Sequence, residues 1–377
     1  MNDLIAYLQP PRPLKLRRNR VWRTYRGGAL LDRWQGKDEP VRDGHFPEEW
    51  VASTVRARNP GREPLQDEGL SLLAGTSDPP LSLLSLLEAM PGQMLGQGHV
   101  DRYGTSVGVL VKLLDSAERL AIQVHPDRAA AQRLFGSEYG KTEAWLFLGG
   151  RRINGEAPYV LCGFKPGMTR EKWERLFADQ DREAMIRSLH KLYPSPGDVM
   201  LIRGGLPHAI GPGNWMVEIQ EPTDITIRTE RVTPSGFKLS DSSIHQGIGF
   251  ERMFECFDYR TYSEEELLRK CRLRDQIAGA GAGWRERKLI GYEDTPYFSL
   301  NRLTIEACSD GPFWELDGRF SIVIVLSGQG RVMWAGGELP IEQGDYLFLP
   351  AHLGQVQFAG GQDGSLELAR CFPPSVE

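Results

Sequence analysis

Four residues in three short segments have side chains that can bind a divalent metal ion. Gln123 and His125 stand two positions apart in a strand-like run, so strand alternation places both on one face. Glu143 follows Lys141 at the same spacing, and His208 lies in a Gly- and Pro-rich loop after another strand-like run. Two imidazoles, a carboxylate and an amide oxygen are a suitable ligand set for a catalytic zinc ion, which keeps one position open.

Each of these segments also has a purely structural explanation. His125 can cap a strand end before Pro126. Lys141 and Glu143 can form an ion pair on an edge strand, and His208 can bond to local backbone. The combination of the segments favours the metal site. Ligand preferences do not exclude manganese, iron or cobalt, and zinc is the metal that we expect from this ligand set.

A fourth polar segment runs from Glu221 to Arg228. Strand alternation places Asp224, Thr226 and Arg228 on one face and two isoleucines on the other. Taken alone, this pattern also fits a solvated strand face with an Asp–Arg pair. Next to a metal site it would supply a carboxylate and a guanidinium, whose planar fork of donors suits oxyanions.

Composition limits the class of protein. The 377 residues are 40% hydrophobic and 25% charged, which is typical of a globular chain, and this length favours two domains. A net charge of -5 lacks the basic excess of a nucleic-acid-binding protein. The first ten residues lack a signal-peptide pattern, and the longest apolar runs are too short to span a bilayer. Five scattered cysteines without a C-x-x-C pair indicate free thiols, so we expect a cytoplasmic protein with no nucleic-acid or membrane partner.

The 42 glycines and 25 prolines separate many short segments of alternating polarity, which is typical of a mainly β protein. In the first part of the chain, this pattern predicts strands at Val109–Leu114, Leu120–Val124, Glu143–Leu148, Val199–Ile202, Met216–Ile219 and Ile225–Arg228. Helical patterns occur at Leu81–Met90 and Arg170–His190. A capped helix start at Ser263 and a linker or turn at Gly279–Gly283 precede further predicted strands at Phe298–Ile305, Phe320–Leu326, Gly330–Trp334 and Tyr346–Leu349.

A faint internal repeat links the two parts of the chain. A Pro-Gly-Asp turn ending at Asp198 precedes an apolar strand and then His208, and a Gln-Gly-Asp turn ending at Asp345 precedes another apolar strand and then Gln355. The repeat predicts two related barrels, of which only the first has kept a ligand. His352 is offset from the equivalent position and is expected not to bind metal. The remaining histidines are expected to be structural or exposed, and Trp145 to line the cavity; these histidines are His45, His99, His190 and His245.

Taken in order, these segments resemble type I phosphomannose isomerases, which are zinc-dependent enzymes of the cupin superfamily. The resemblance covers roughly residues 20–235 and rests on Leu113–Asp115, Gln123–Asp127, Gly140–Glu143, Pro196–Asp198, His208–Gly211, Glu218–Gln220 and Asp224–Arg228. Glu48–Ser53 is similar to an early family segment that borders the pocket. After Arg228 the family usually continues with a Tyr-Asp-x-x-Arg-like run, whereas this chain has Thr229–Thr233, so the phosphosugar preference has less support than metal binding.

The resemblance implies a site and an activity. It implies that one zinc ion per chain is bound by Gln123, His125, Glu143 and His208, with Arg228 in the active site and Lys141 and Asp224 near the substrate. The implied reaction converts mannose 6-phosphate into fructose 6-phosphate through a cis-enediol or enediolate. The proton-transferring base can be Lys141 or Asp224, and Arg228 can stabilise the enediolate or bind the phosphate group.

The expected architecture is mainly β, with two cupin-like β-barrels or jelly rolls and helical insertions in the N-terminal half. We expect a catalytic domain at residues 1–262, with insertions at about 65–100 and 168–192, and a C-terminal cupin-like domain without metal ligands at residues 263–377.

Two other functions stay open at this stage: a non-catalytic sugar-binding or regulatory cupin, and a metal-dependent cupin oxygenase. Oxygenases commonly use more histidines, often in a His-x-His pair. Gln123 at the first ligand position and Lys141 close to the carboxylate favour the isomerase.

Overall fold

The computed structural model describes residues 11–75 and 80–376, which form four antiparallel sheets. The predicted mainly β fold with two cupin-like units is confirmed, although each sheet is an open array of strands instead of part of a closed barrel. Residues 76–79, inside the insertion expected at about 65–100, lie outside the described residues, as do residues 1–10 and 377.

Sheets 1 and 2 carry the predicted site. In order across the sheet, sheet 1 consists of Arg272–Leu273, Val199–Ile202, Glu143–Gly150, Asn214–Gln220, Leu110–Asp115, Glu48–Val51 and Arg20–Val21. Sheet 2 consists of Ile227–Arg228, Gln123–Val124, His208–Ile210, Val160–Phe164 and Leu189–Leu192. The register of sheet 2 sets Gln123 opposite both His208 and Arg228, so residues from three distant segments meet at one strand end.

Sheets 3 and 4 form the second unit. Sheet 3 consists of Leu14–Lys15, Tyr346–Leu349, Ser321–Ser327, Leu366–Phe372, Ser299–Ile305, Trp284–Ile290 and Gln276–Gly281. Sheet 4 consists of Asp310–Glu315, Gln355–Gly360, Gln329–Trp334 and Gly337–Glu342. One apolar core joins sheets 1 and 3, with Val217 and Ile219 in the same buried cluster as Ile322 and Ile324. The division of the chain at residue 262 stays a prediction.

Short helices connect the strands. They span Ala29–Trp34, Leu83–Ala89, Pro91–Leu95, Gln97–Tyr103, Arg128–Phe135, Arg170–Asp179, Arg182–Arg187, Asp241–His245, Phe250–Met253 and Glu264–Cys271, with 3-10 turns at Phe254–Cys256 and Ala351–Leu353. The helix start predicted at Ser263 is confirmed, because its hydroxyl accepts from Glu266 N and the Glu266 carboxylate accepts from Ser263 N in a capping box. Among the described residues, no helix has both the length and the hydropathy needed to cross a membrane.

Two predicted elements are wrong in part. The helix predicted at Arg170–His190 is interrupted at Gln180, whose left-handed backbone (φ 51°) ends the first helix, and its last residues belong to the strand Leu189–Leu192. The linker or turn predicted at Gly279–Gly283 lies mostly in the strand Gln276–Gly281. The glycines of this strand leave room for the indole of Trp284 on the neighbouring strand. A Cβ on Gly281 would lie only 2.3 Å from Trp284 Nε1.

The repeat that was predicted from the sequence has matching geometry in both units. In each turn the aspartate carboxylate accepts from a backbone N–H three residues earlier, with Asp198 bonding Ser195 N (2.9 Å) and Asp345 bonding Glu342 N (3.0 Å). The glycine before each aspartate has a left-handed φ of 90° or 91°. His208 and Gln355 each begin the next strand along the chain, as the repeat predicts.

Candidate active site

Three of the predicted ligand residues converge in a buried cluster. His125 Nε2 lies 3.1 Å from Glu143 Oε2, and His208 Nε2 lies 3.3 Å from Glu143 Oε1. One ligand atom from each of the three side chains lies within 4.8 Å of the other two, and all three residues are buried. This spacing fits three side chains that bind one metal ion.

The backbone fixes the orientation of both imidazoles. Nδ1 of His125 lies 2.9 Å from the carbonyl oxygen of Ile225, and Nδ1 of His208 lies 2.9 Å from that of Leu206. Because a carbonyl only accepts hydrogen bonds, each Nδ1 carries the proton and donates it, and each Nε2 presents its lone pair to the cluster. Burial, together with the charge of Lys141, lowers the pKa of His125 to about 3, so this imidazole is neutral at neutral pH.

Glu143 supplies a carboxylate whose bonding is incomplete. Burial opposes its ionisation, but the charge of Lys141 and the contacts with the two imidazoles outweigh burial and hold the pKa of Glu143 well below its ordinary value. Oε2 lies 3.1 Å from both His125 Nε2 and Lys141 Nζ, yet it accepts no hydrogen bond of acceptable geometry. A buried acceptor without a donor is destabilising, and a cation among these ligand atoms would satisfy it.

Gln123 and Lys141 border the same cluster. The amide Nε2 of Gln123 lies 3.3 Å from His208 Nε2, so coordination through the amide oxygen requires the opposite orientation of this amide. Lys141 Nζ lies 2.9 Å from His125 Nε2. Both residues also line a cavity of about 480 Å³ that opens beside the cluster.

A network of buried charges forms the next part of the cavity wall. The guanidinium of Arg23 donates to both carboxylate oxygens of Asp224 (3.1 and 3.2 Å), and its Nε lies 2.9 Å from Glu48 Oε2. Although burial opposes ionisation, the charge of Arg23 lowers the pKa of Asp224 well below its ordinary value. Lys112 Nζ pairs with Glu218 at 2.8 Å. Asp224 is therefore an ionised carboxylate with both oxygens engaged.

The face predicted for the fourth segment is present, because Asp224, Thr226 and Arg228 all line the cavity. Arg228 donates from Nη1 to the carbonyl oxygens of Thr226 (3.2 Å) and Ser243 (2.8 Å). Within the described part of the chain, no carboxylate forms an ion pair with it. Burial lowers the pKa of Arg228 to about 10, so the guanidinium still carries its charge at neutral pH.

Sequence reasoning missed several residues of the wall. Arg23 has no recognisable motif. Lys112 and Glu218 each stand between apolar residues of a strand, and that placement of a charge was the available signal. Glu48 lines the cavity, as the early segment suggested. Burial opposes its ionisation, but Arg23 and Lys112 lower the pKa of Glu48 to about 2. Its carboxylate accepts from the Tyr25 hydroxyl at 2.6 Å.

The prediction for Trp145 is wrong, because this residue lies behind the ligand cluster instead of lining the cavity. Its Nε1 donates to Glu143 Oε1 at 3.2 Å, and its ring centroid lies 5.6 Å from that of His208. The four histidines that were expected to be structural or exposed all form hydrogen bonds with the backbone. Nδ1 of His45 bonds to Arg23 O, Nε2 of His99 to Ser106 O and Nε2 of His190 to Tyr262 O, and Nδ1 of His245 accepts from Gly247 N. His352 bonds Gln93 O, far in sequence from the cluster.

Comparison with known proteins gives a consistent result. Residues 289–373 match the family model "Mannose-6-phosphate isomerase, cupin domain". A mannose-6-phosphate isomerase of Streptococcus mutans is 28% identical over 290 residues, which cover 74% of this chain and 80% of that protein. A mannose-6-phosphate isomerase of Bacillus subtilis is 25% identical, with 71% of this chain and 75% of that protein covered.

Solved structures agree with the fold. The crystal structure of the Bacillus subtilis mannose 6-phosphate isomerase superposes with a TM-score of 0.72 at 21% identity, over 95% of this chain and 99% of that chain. A putative mannosephosphate isomerase from Archaeoglobus fulgidus superposes with a TM-score of 0.70 at 18% identity, over 97% and 99% of the two chains. The resemblance seen in the ordered motifs is thereby confirmed: the chain is similar to mannose-6-phosphate isomerases over most of its length, and its residues 289–373 match the cupin domain of that family.

Proposed function

We propose that the protein interconverts mannose 6-phosphate and fructose 6-phosphate with one divalent metal ion per chain, zinc being the preferred metal. The observation that carries this proposal is the buried His–Glu–His cluster at one end of a cavity rich in cationic side chains. The two Nε2 lone pairs and the unsatisfied carboxylate oxygen form a donor set that suits zinc. His125, Glu143, His208 and, after reorientation of its amide, Gln123 would hold the ion.

The chemistry of the reaction is a proton transfer between C1 and C2 of the sugar. A bound metal ion would polarise the substrate oxygens, which eases removal of the carbon-bound proton. Lys141 is the group that we assign to the proton transfer, since its Nζ is at the ligand cluster and its side chain lines the cavity. It would act as the neutral amine, the form that the positive charge of a bound metal ion beside it would favour. Asp224 is a weaker base, because its lowered pKa and its bonds to Arg23 stabilise the ionised form.

Arg228 is assigned to an anionic part of the substrate. Its guanidinium has no carboxylate partner in the described part of the chain, and two of its three nitrogens make no hydrogen bond there. A planar guanidinium binds oxyanions through several donors at once. It would therefore stabilise the negative charge on the enediolate or on the phosphate group, and metal binding would not depend on it.

The test is a metal-content measurement combined with a coupled assay for mannose 6-phosphate isomerisation. His125→Ala and His208→Ala should lose metal and activity together, whereas His352→Ala, a histidine that bonds Gln93 O outside the cluster, should keep both. An Arg228→Met variant should retain metal and lose turnover.

The same measurements identify the competing functions. A His125→Ala variant with a full complement of metal and normal turnover would refute the proposed site. Bound metal and sugar binding without any turnover in the wild-type protein would indicate a regulatory cupin, and oxygen uptake with bound iron would indicate an oxygenase.

A further inference from the structure

The cavity carries more positive than negative charge in a chain whose net charge is -5. Four lining side chains are carboxylates, namely Glu48, Glu63, Glu218 and Asp224. Seven are cationic, namely Arg23, Arg56, Arg58, Arg62, Lys112, Lys141 and Arg228. A concave surface with an excess of one sign of charge concentrates ligands of the opposite sign, so the cavity favours an anion.

Most of these cations already have carboxylate partners. Arg23, Lys112 and Lys141 pair with acidic residues of the site, and Arg62 pairs with Glu68 at 2.9 Å. An anionic ligand would have to compete with those carboxylates. The cations that remain, in the described part of the chain, are Arg56, Arg58 and Arg228.

These three arginines differ in how many donors are free. Arg56 donates from Nε to the carbonyl oxygen of Gln66 at 2.9 Å, which directs its side chain along the loop. Arg228 uses Nη1 for two carbonyl oxygens. The side chain of Arg58 is exposed and makes no hydrogen bond or ion pair with any described residue, so all its donors are available.

The backbone of Arg58 is nevertheless fixed to the site. Its N–H donates to Asp224 Oδ2 at 3.0 Å. The next residue, Asn59, accepts from Arg23 Nη1 at 3.2 Å and donates from Nδ2 to Glu68 Oε2 at 3.1 Å. A fixed backbone lowers the entropy cost of holding a long side chain on a ligand.

We infer that Arg58, together with Arg228, binds the phosphate group of the sugar phosphate and that Arg58 determines the preference for phosphorylated over unphosphorylated sugars. This inference rests on the proposed function. The guanidinium fork can donate two parallel hydrogen bonds to a phosphate, which a lysine ammonium cannot reproduce. Arg58 lies on a loop and outside the ligand cluster, so its role concerns substrate affinity and leaves the metal site unchanged.

The experiment compares metal-loaded wild type with Arg58→Met. We expect the KM for mannose 6-phosphate to rise by about 10- to 100-fold, the loss typical of one charge-assisted contact, with kcat within about twofold and the same metal content. Inorganic phosphate should compete with substrate in the wild type and compete more weakly in the variant, in the same proportion. Arg58→Lys should recover part of the affinity, because it restores the charge without the fork.

The matched control is Arg331→Gln, which removes the same charge from an exposed arginine of sheet 4 that pairs with Glu338. Its KM and its inhibition by phosphate should equal those of the wild type. An Arg58→Met variant with unchanged KM and unchanged phosphate inhibition would overturn the inference while leaving the proposed function intact. If the wild type itself does not isomerise mannose 6-phosphate, calorimetric titration with inorganic phosphate tests whether Arg58 binds phosphate. Equal phosphate affinity in the wild type and in Arg58→Met or Arg58→Lys would overturn the inference.

Discussion

Replacing Asp224 with Asn separates a positioning role of this carboxylate from a role as the proton-transferring base. Asp224 accepts three hydrogen bonds, two from Arg23 and one from Arg58 N, and its side chain is only 8% exposed. The substitution removes the charge that faces Arg23 and places an amide N–H₂ against one of those donors. Arg23 keeps Glu48 as a partner, so we expect a loss near the low end for a broken buried pair, about 3 kcal/mol.

The assay is urea unfolding followed by intrinsic fluorescence, in parallel with isomerase activity. With a urea dependence of about 3 kcal/mol per M, a loss of about 3 kcal/mol lowers the midpoint by about 1 M. Asp241→Asn is the control, because Asp241 pairs with Arg231 on the surface, where the side chains are 61% and 42% exposed. Such a pair contributes little to stability, so the control midpoint should shift by less than about 0.3 M.

Two results would refute the reasoning about Asp224. An unchanged midpoint would mean that its bonds to Arg23 do not stabilise the fold. An unchanged midpoint together with a loss of activity of about a thousandfold or more would assign the proton transfer to Asp224 and remove it from Lys141.

Two further predictions concern residues outside the ligand cluster. The next prediction is for Glu48→Gln. In the wild type, the pKa of Glu48 is about 2 and lies below its ordinary value, so the ionised carboxylate stabilises the fold above its unfolded pKa. That stabilisation is lost as the pH falls through 2. We expect the variant to be less stable by about 3 kcal/mol at pH 7, with a difference that shrinks in acid urea titrations, and a constant difference would contradict this. For Gly281→Val, a Cβ would overlap the Trp284 indole, so the thermal midpoint should fall while the KM for mannose 6-phosphate stays unchanged. The matched control is Ala280→Val at the neighbouring exposed position of the same strand, and an equal fall in both variants would show that the indole is not the cause.

The sequence predicted the ligand cluster because its residues lie at the ends of short strands. Alternation between faces identifies which side chains point together, and the order of the motifs carries the resemblance to mannose-6-phosphate isomerases. His125, Glu143 and His208 were found in this way, and they do meet. The mainly β fold and the capped helix after Ser263 follow from equally local patterns.

The elements that were predicted wrongly are those where a tertiary contact overrides a local pattern. Gly-rich sequence usually indicates a turn, but in the strand Gln276–Gly281 the glycines leave room for an indole from the neighbouring strand. Trp145 was expected at the cavity, and the strand pairing of sheet 1 places it behind Glu143 instead. Both neighbours lie within three residues in sequence, but the strand pairing that decides these contacts is not visible in the residue types alone.

The amino-acid sequence by itself determined which side chains could bind a metal ion, on which strand faces they lie, and the resemblance to mannose-6-phosphate isomerases. Only the tertiary structure decided which charges surround them: Arg23 meets Asp224 across 201 positions of chain, and the sheet register sets Lys112 opposite Glu218. The physical reason is that periodicity reports the face on which a side chain lies, whereas strand order and register decide its partner. The free guanidinium of Arg58 became recognisable only when the other cations of the cavity could be matched to their carboxylate or carbonyl partners.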